Sequence, residues 1–156
     1  MMLRNPIRAL AVLLAATAAI AVPGAAEAAP GTRTSFVVNT QFWDQPSPIV
    51  SATGPLAACT TVQEEEGSQV IQTGPSTVLF VSTKTLDCAG GTVTIDYQAT
   101  LNFAANRKTF GTWSVVDSTL AGVSFGGGRL TGDSARCVVL AGSEGCILDT
   151  FTGSVG

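Results

Sequence analysis

Histidine is absent from all 156 residues. Its absence excludes Ser-His-Asp and Cys-His nucleophilic chemistry and histidine-ligated metal sites together, because no other unperturbed side chain titrates near neutral pH as a base and ligand. Charge is scarce too. From Ala29 onward ten acidic residues face six basic ones, a formal net charge of −4. Without clustered Lys and Arg the chain does not fit phosphate backbones, so no nucleic-acid partner is expected. The surplus acidity serves solubility. No CxxC spacing occurs, and the single tyrosine is Tyr97. Any catalysis therefore falls to carboxylates, Tyr97, the few Lys and Arg residues, or confinement alone. No organic cofactor and no metal are expected.

What is present at the N-terminus reads as an address. Arg4 and Arg8 precede the apolar run AVLLAATAAIAV (Ala11 to Val22), and Ala26-Glu27-Ala28 supplies a small-x-small cleavage site. The run is shorter than the roughly 20 residues of a membrane span, so residues 1–28 are predicted to be a secretory signal peptide and residues 29–156 the mature domain. No cysteine follows the site to carry a lipid, and no later segment is long enough to span a bilayer. The protein is expected to be secreted and extracellular, with no membrane anchor after the signal peptide is removed. The remaining 128 residues suit one domain. Oligomeric state does not follow from any residue.

All four cysteines, Cys59, Cys88, Cys137 and Cys146, lie in the exported part. An even count in an oxidising compartment implies two disulfides with three possible pairings. Strand layout favours nearest neighbours, Cys59 with Cys88 and Cys137 with Cys146.

Beyond the leader, helix signals are missing and apolar residues recur with period two. Strands are predicted over Thr34–Trp43, Ala58–Glu66, Gln69–Thr73, Thr77–Asp87, Thr92–Phe103, Thr109–Asp117, Leu120–Thr131 and Gly145–Val155, with a proline-punctuated loop after the first. Cys88-Ala-Gly-Gly91 reads as a hairpin turn. Seven or eight antiparallel strands in a small domain imply a sandwich or closed barrel.

The stretch GTWSVVDSTLAGVSFGGGRLTG, Gly111 to Gly132, contains six glycines. A phosphate-cradling loop would lead into a helix and carry a Lys-Ser/Thr pair; neither follows FGGGR. Parity places Gly122, Ser124, Gly126, Gly128 and Leu130 on one nearly bare face. Such a face marks strand coiling, with Trp113 of the preceding strand as its cover, or space inside a cavity.

The order CTTV (Cys59 to Val62), QTGPSTVLFVSTKTLDC (Gln72 to Cys88), TVTIDYQATL (Thr92 to Leu101), GTWSVV (Gly111 to Val116), LAGVSFGGGRLTG (Leu120 to Gly132) and DTFTGSV (Asp149 to Val155) resembles exported bacterial proteins of the allene oxide cyclase / dirigent barrel-like superfamily. The resemblance implies an all-β fold, a single antiparallel, eight-stranded closed β-barrel, here with two disulfides. It also implies a lumen for a small apolar ligand and, in the plant relatives, cofactor-free cyclisation or radical coupling. No catalytic motif of the plant enzymes matches position by position, so no catalytic residue is carried over.

Trp113, Tyr97, Phe103 and Phe125 are the candidate ligand-binding residues, with Phe110 beside them, since an aromatic-lined pocket suits an apolar ligand. Filling the core is the competing role. Asp96, Lys84 and Arg129 sit mid-strand and read as an outer, solvated face. Glu64-Glu65-Glu66 reads as a solvated turn rather than a Ca²⁺ site, because consecutive strand residues alternate faces. Three functions stay open: a secreted barrel that holds a small apolar molecule, a cofactor-free isomerase or cyclase, and a packed structural or interaction protein. Volume separates the third from the others: without an interior cavity of about 300 Å³ or more, the first two both fail for the monomer. A charged or phenolic group inside an otherwise apolar cavity would favour the enzyme over the binder.

Overall fold

The computed structural model describes residues 30–105 and 107–156, and the predicted signal peptide lies outside them. Alternating Thr, Val, Ile and Phe residues form nine strands: β1 (Thr32–Gln41), β2 (Ser47–Thr53), β3 (Cys59–Glu64), β4 (Gln69–Gly74), β5 (Thr77–Cys88), β6 (Gly91–Asn102), β7 (Lys108–Ser118), β8 (Gly126–Asp133) and β9 (Cys146–Val155). One turn of 3₁₀ helix, Gly54–Leu56, joins β2 to β3. No helix among the described residues is long and apolar enough to cross a membrane.

The strands run antiparallel in the order β3-β2-β1-β9-β8-β7-β6-β5-β4, and pairing of β3 with β5 closes them into an eight-stranded barrel with β4 as an extra strand. Closure removes the exposed edges that an open Thr/Val-rich sheet would present. The disulfides pair Cys59 with Cys88, directly opposite on β3 and β5, and Cys137 with Cys146. Both suit an oxidising, extracellular environment.

Beyond shifts of one or two residues at strand ends, the structure departs from the sequence reading in two places. Ser47–Thr53, read as part of a loop because of Pro46 and Pro48, is a barrel strand. Proline is tolerated there because β2 meets β3 only at Ser47–Val62 and Pro48–Thr61, at the start of the strand. The glycine-rich strand begins at Gly126 rather than Leu120, the preceding residues forming a turn.

β3 and β4 both lie along β5, one after the other. Glu64 faces Lys84 and Gln69 faces Val81, so the chain from Glu65 to Ser68 bulges between them. Beyond that bulge β4 pairs with β5 alone. The barrel wall is therefore unclosed between β4 and the end of β1.

The lumen is filled at the opposite end. Phe36 stacks on Phe151 with centroids 4.4 Å apart, and Trp113 meets both edge-on at 5.7 and 6.3 Å. Leu86, Val93, Ile95, Leu130 and Val155 complete this core. Cross-strand register runs Tyr97–Trp113–Gly128–Gly153, so the indole lies beside two consecutive bare positions. Its Nε1–H donates to the Thr152 carbonyl at 3.3 Å.

Candidate functional site

At the other end, where β1 and β6 finish and β7 and β9 begin, the lumen opens into a cleft of about 240 Å³. Phe42, Val70, Phe80, Ala99, Leu130 and Ile147 supply apolar wall, while Thr40, Glu64, Tyr97, Thr109 and Asp149 supply polar groups. A larger hollow of about 610 Å³ lies between the loops Phe42–Gln45 and Ala141–Glu144, but it is a mainly polar surface recess. The β1 side of the cleft is braced from outside. Asn39 and Gln41 donate their amides to the Val138 carbonyl at 2.7 and 2.9 Å, and Gln41 Oε1 accepts from the Leu140 N–H at 2.9 Å. The Cys137–Cys146 loop is thereby clamped to β1.

Strand parity places two polar clusters inside, each built around one carboxyl. In the first, Lys84 of β5 is only 1% exposed and forms an ion pair with Glu64 of β3. Tyr97 of β6 donates its hydroxyl to Glu64 Oε1 at 2.7 Å, and the Lys84 ammonium sits 4.9 Å from the Tyr97 ring centroid. Burial alone would raise the Glu64 pKa, but the Lys84 charge and the hydrogen bonds from Lys84, Ser82 and Tyr97 outweigh it and hold the carboxyl below its usual value. Burial first, then the Glu64 charge and its hydrogen bond, push the Tyr97 phenol far above its usual range. This cluster is thus a Lys84–Glu64 ion pair to which the Tyr97 phenol donates, its members bound to one another.

The second cluster is a row across three strands. Register places Thr109 of β7, Gly132 of β8 and Asp149 of β9 side by side. Thr40 donates its hydroxyl to Asp149 Oδ2 at 2.6 Å. Burial pushes Asp149 up to about 6; Lys84 and Thr40 pull it down in part, and Glu64 pushes it up. Because Gly132 has no side chain, Thr109, Asp149 and Ile147 close over it and fill the place a side chain would take. A Cβ built there would overlap Thr109 Oγ1 and lie 2.6 Å from Asp149 Oδ1. The Thr109 hydroxyl, on a residue 2% exposed, has no hydrogen-bond partner among the described residues, and neither does the buried Trp43 indole N–H on the same cleft. Buried polar groups are almost always partnered, so each exception is a candidate contact point.

Of the ligand-binding candidates, Tyr97 alone lines this cleft. Trp113 belongs to the aromatic core. Phe103 and Phe125 are 56% and 42% exposed, and Phe110 is exposed as well, so the three do not meet Tyr97 and Trp113. Asp96 and Arg129 are on the outer face as expected. Lys84 is a correction: it lies inside, because it shares parity with Phe80, Leu86 and Cys88 rather than with the threonines. Glu64 is a second correction, since it turns inward beside Val62 while Glu65 and Glu66 remain exposed. Among the described residues no cluster of His, Cys, Asp or Glu is arranged to hold a metal ion. Asp149 and Thr109 were overlooked in the sequence, although Asp149 alternates with Ile147, Phe151 and Val155 on an apolar face. Comparison of the chain with protein-family models, curated proteins and solved structures gives no match.

Proposed function

We propose that this protein is a secreted barrel that holds a small, largely apolar molecule in the cleft beside β4. The observation that carries this reading is an apolar-walled lumen end of about 240 Å³ with a carboxyl at its floor. A barrel built only as a packed scaffold has no need to keep such space, because unfilled volume forfeits dispersion contacts. At about 240 Å³ the cleft misses the mark of about 300 Å³ set above, which counts against a drug-sized ligand and restricts this reading to a compact one. The predicted leader, the two disulfides and the resemblance to allene oxide cyclase and dirigent barrels support an exported, ligand-holding role.

The test is native mass spectrometry of protein purified from culture supernatant. A retained neutral molecule, or one taken up from a crude metabolite extract, is the expected result. Recovery of unliganded protein under both conditions would count against the reading.

Asp149 favours a second reading, a cofactor-free isomerase or cyclase in which the cleft enforces one substrate conformation. A carboxyl that titrates at about 6 exchanges a proton readily near neutral pH. Here Asp149→Asn would retain the ligand but abolish its conversion, whereas a binder would show no conversion in either form.

A further inference from the structure

We propose that β4 is the contact strand of a two-fold homodimer, in which it pairs antiparallel with β4 of a second copy. The proposal is independent of what the cleft holds. Each of the other eight strands has a neighbour on both sides, whereas β4 pairs with β5 alone and keeps one edge of backbone N–H and C=O groups free. A free edge is a template for another strand, and proteins that must stay apart blunt it with charge or proline. The segment QVIQTG has neither, and nearly all of it is exposed. Its two faces are both apolar. Val70 is 63% exposed on the cleft side, and Ile71 is 43% exposed on the outer side, beside Leu79.

Symmetry and charge identify the occupant as a second copy. A two-fold axis normal to the sheet keeps inner face beside inner face, so a residue on the axis pairs with itself. The register centred on Gln69–Thr73 places Ile71 there, and Ile71 and Leu79 of both copies then form one apolar row on the outer face. The charges nearest to β4 in sequence, Glu65 and Glu66, precede it. Antiparallel pairing sends them to opposite ends of the joined strands, where the other copy presents its uncharged Gly74-Pro75 turn. One such pairing uses both free edges and stops at two copies. Five residues of strand and two apolar side chains per copy make a small contact. The dimer is therefore weak, with a Kd of about 10–100 µM.

Sedimentation velocity of the mature protein between about 1 and 500 µM brackets that range, and a shift from monomer to dimer is expected across it. Ile71→Lys sets two like charges against each other at the axis and should raise the Kd about ten-fold or more. Ile71→Val should leave it within about two-fold. Val116→Lys, at a similarly exposed apolar position near the far end of β7, should do the same. Hydrogen exchange read by mass spectrometry locates the contact: Gln69–Thr73 should gain protection as concentration rises, while β7 should not. A monomer throughout the series would overturn the proposal. So would a dimer indifferent to Ile71→Lys, protection gained on another strand instead of β4, or growth beyond two copies. Should Ile71→Lys not fold, the wild-type exchange series alone decides the question. None of these outcomes bears on ligand retention in the cleft, which native mass spectrometry reads separately.

Discussion

Asp149 is 6% exposed and sits on the floor of an apolar cleft. Its carboxyl is raised from an ordinary 3.8 to about 6, so the folded protein holds that proton more tightly than the unfolded chain does. The stability this confers is fully present below about pH 4 and is lost as pH rises through about 6. A shift of about two units corresponds to roughly 3 kcal/mol. Between pH 4 and pH 7 the wild type should therefore lose on the order of 3 kcal/mol relative to Asp149→Asn, measured by urea unfolding at each pH. Lys84, Glu64 and Tyr97 face the same cleft, and Glu64 runs the other way. Its depressed pKa contributes stability that is lost as pH falls below the ordinary carboxylate range. Parallel pH profiles for wild type and Asp149→Asn would rule out a strained, buried Asp149.

Strand β8 shows how an element can be specified by missing side chains. Gly128 lies opposite Trp113 on one side and Gly153 on the other. A Cβ at Gly128 would overlap the Thr152 carbonyl oxygen and lie 2.7 Å from Gly153 Cα, both backbone atoms that have no rotamer through which to retreat. Gly128→Ala should cost at least about 2 kcal/mol through overpacking, seen as a lower urea midpoint with an unchanged slope. The glycine run is thus a packing device that lets β8 and β9 approach and coil, and the indole covers the bare surface. Gly132, on the same face, serves the other end of the barrel, where Thr109, Ile147 and Asp149 pack into the place of the absent side chain.

For the molecule as a whole, closure rests on β3. This strand meets β2 at only two register positions but lies along β5 from Cys59–Cys88 to Glu64–Lys84. The Cys59–Cys88 disulfide, closing 29 residues of sequence separation, staples the junction at one end, and the Lys84–Glu64 pair holds the other beside the cleft. Replacing both cysteines by serine should cost about 2–4 kcal/mol in the chain-entropy account. Amides of β3 and β2 should then exchange with solvent sooner than those of β6, which hydrogen exchange by mass spectrometry would resolve. Uniform loss of protection across all strands would show that β3 does not open separately from the rest.

Period-two alternation and turn residues by themselves determined an all-β chain, the placement of seven of the barrel strands and the extra strand β4. Those features are local: strand propensity and turn chemistry act over a few neighbours. Parity also held a signal for Lys84, spaced with Phe80 and Leu86, and for Asp149, spaced with Ile147 and Phe151. A lone charge on an apolar face looks like an exception until its partner is known. The partners lie far along the chain: Glu64 is 20 residues from Lys84, and Thr40 is 109 from Asp149. Only the tertiary structure decided that β2 is a barrel strand, that Phe103 and Phe125 face outward, and that Thr109, Gly132 and Asp149 form one row. The physical reason is closure, since wrapping the sheet sets which faces meet inside, and register between distant strands has no counterpart in local sequence.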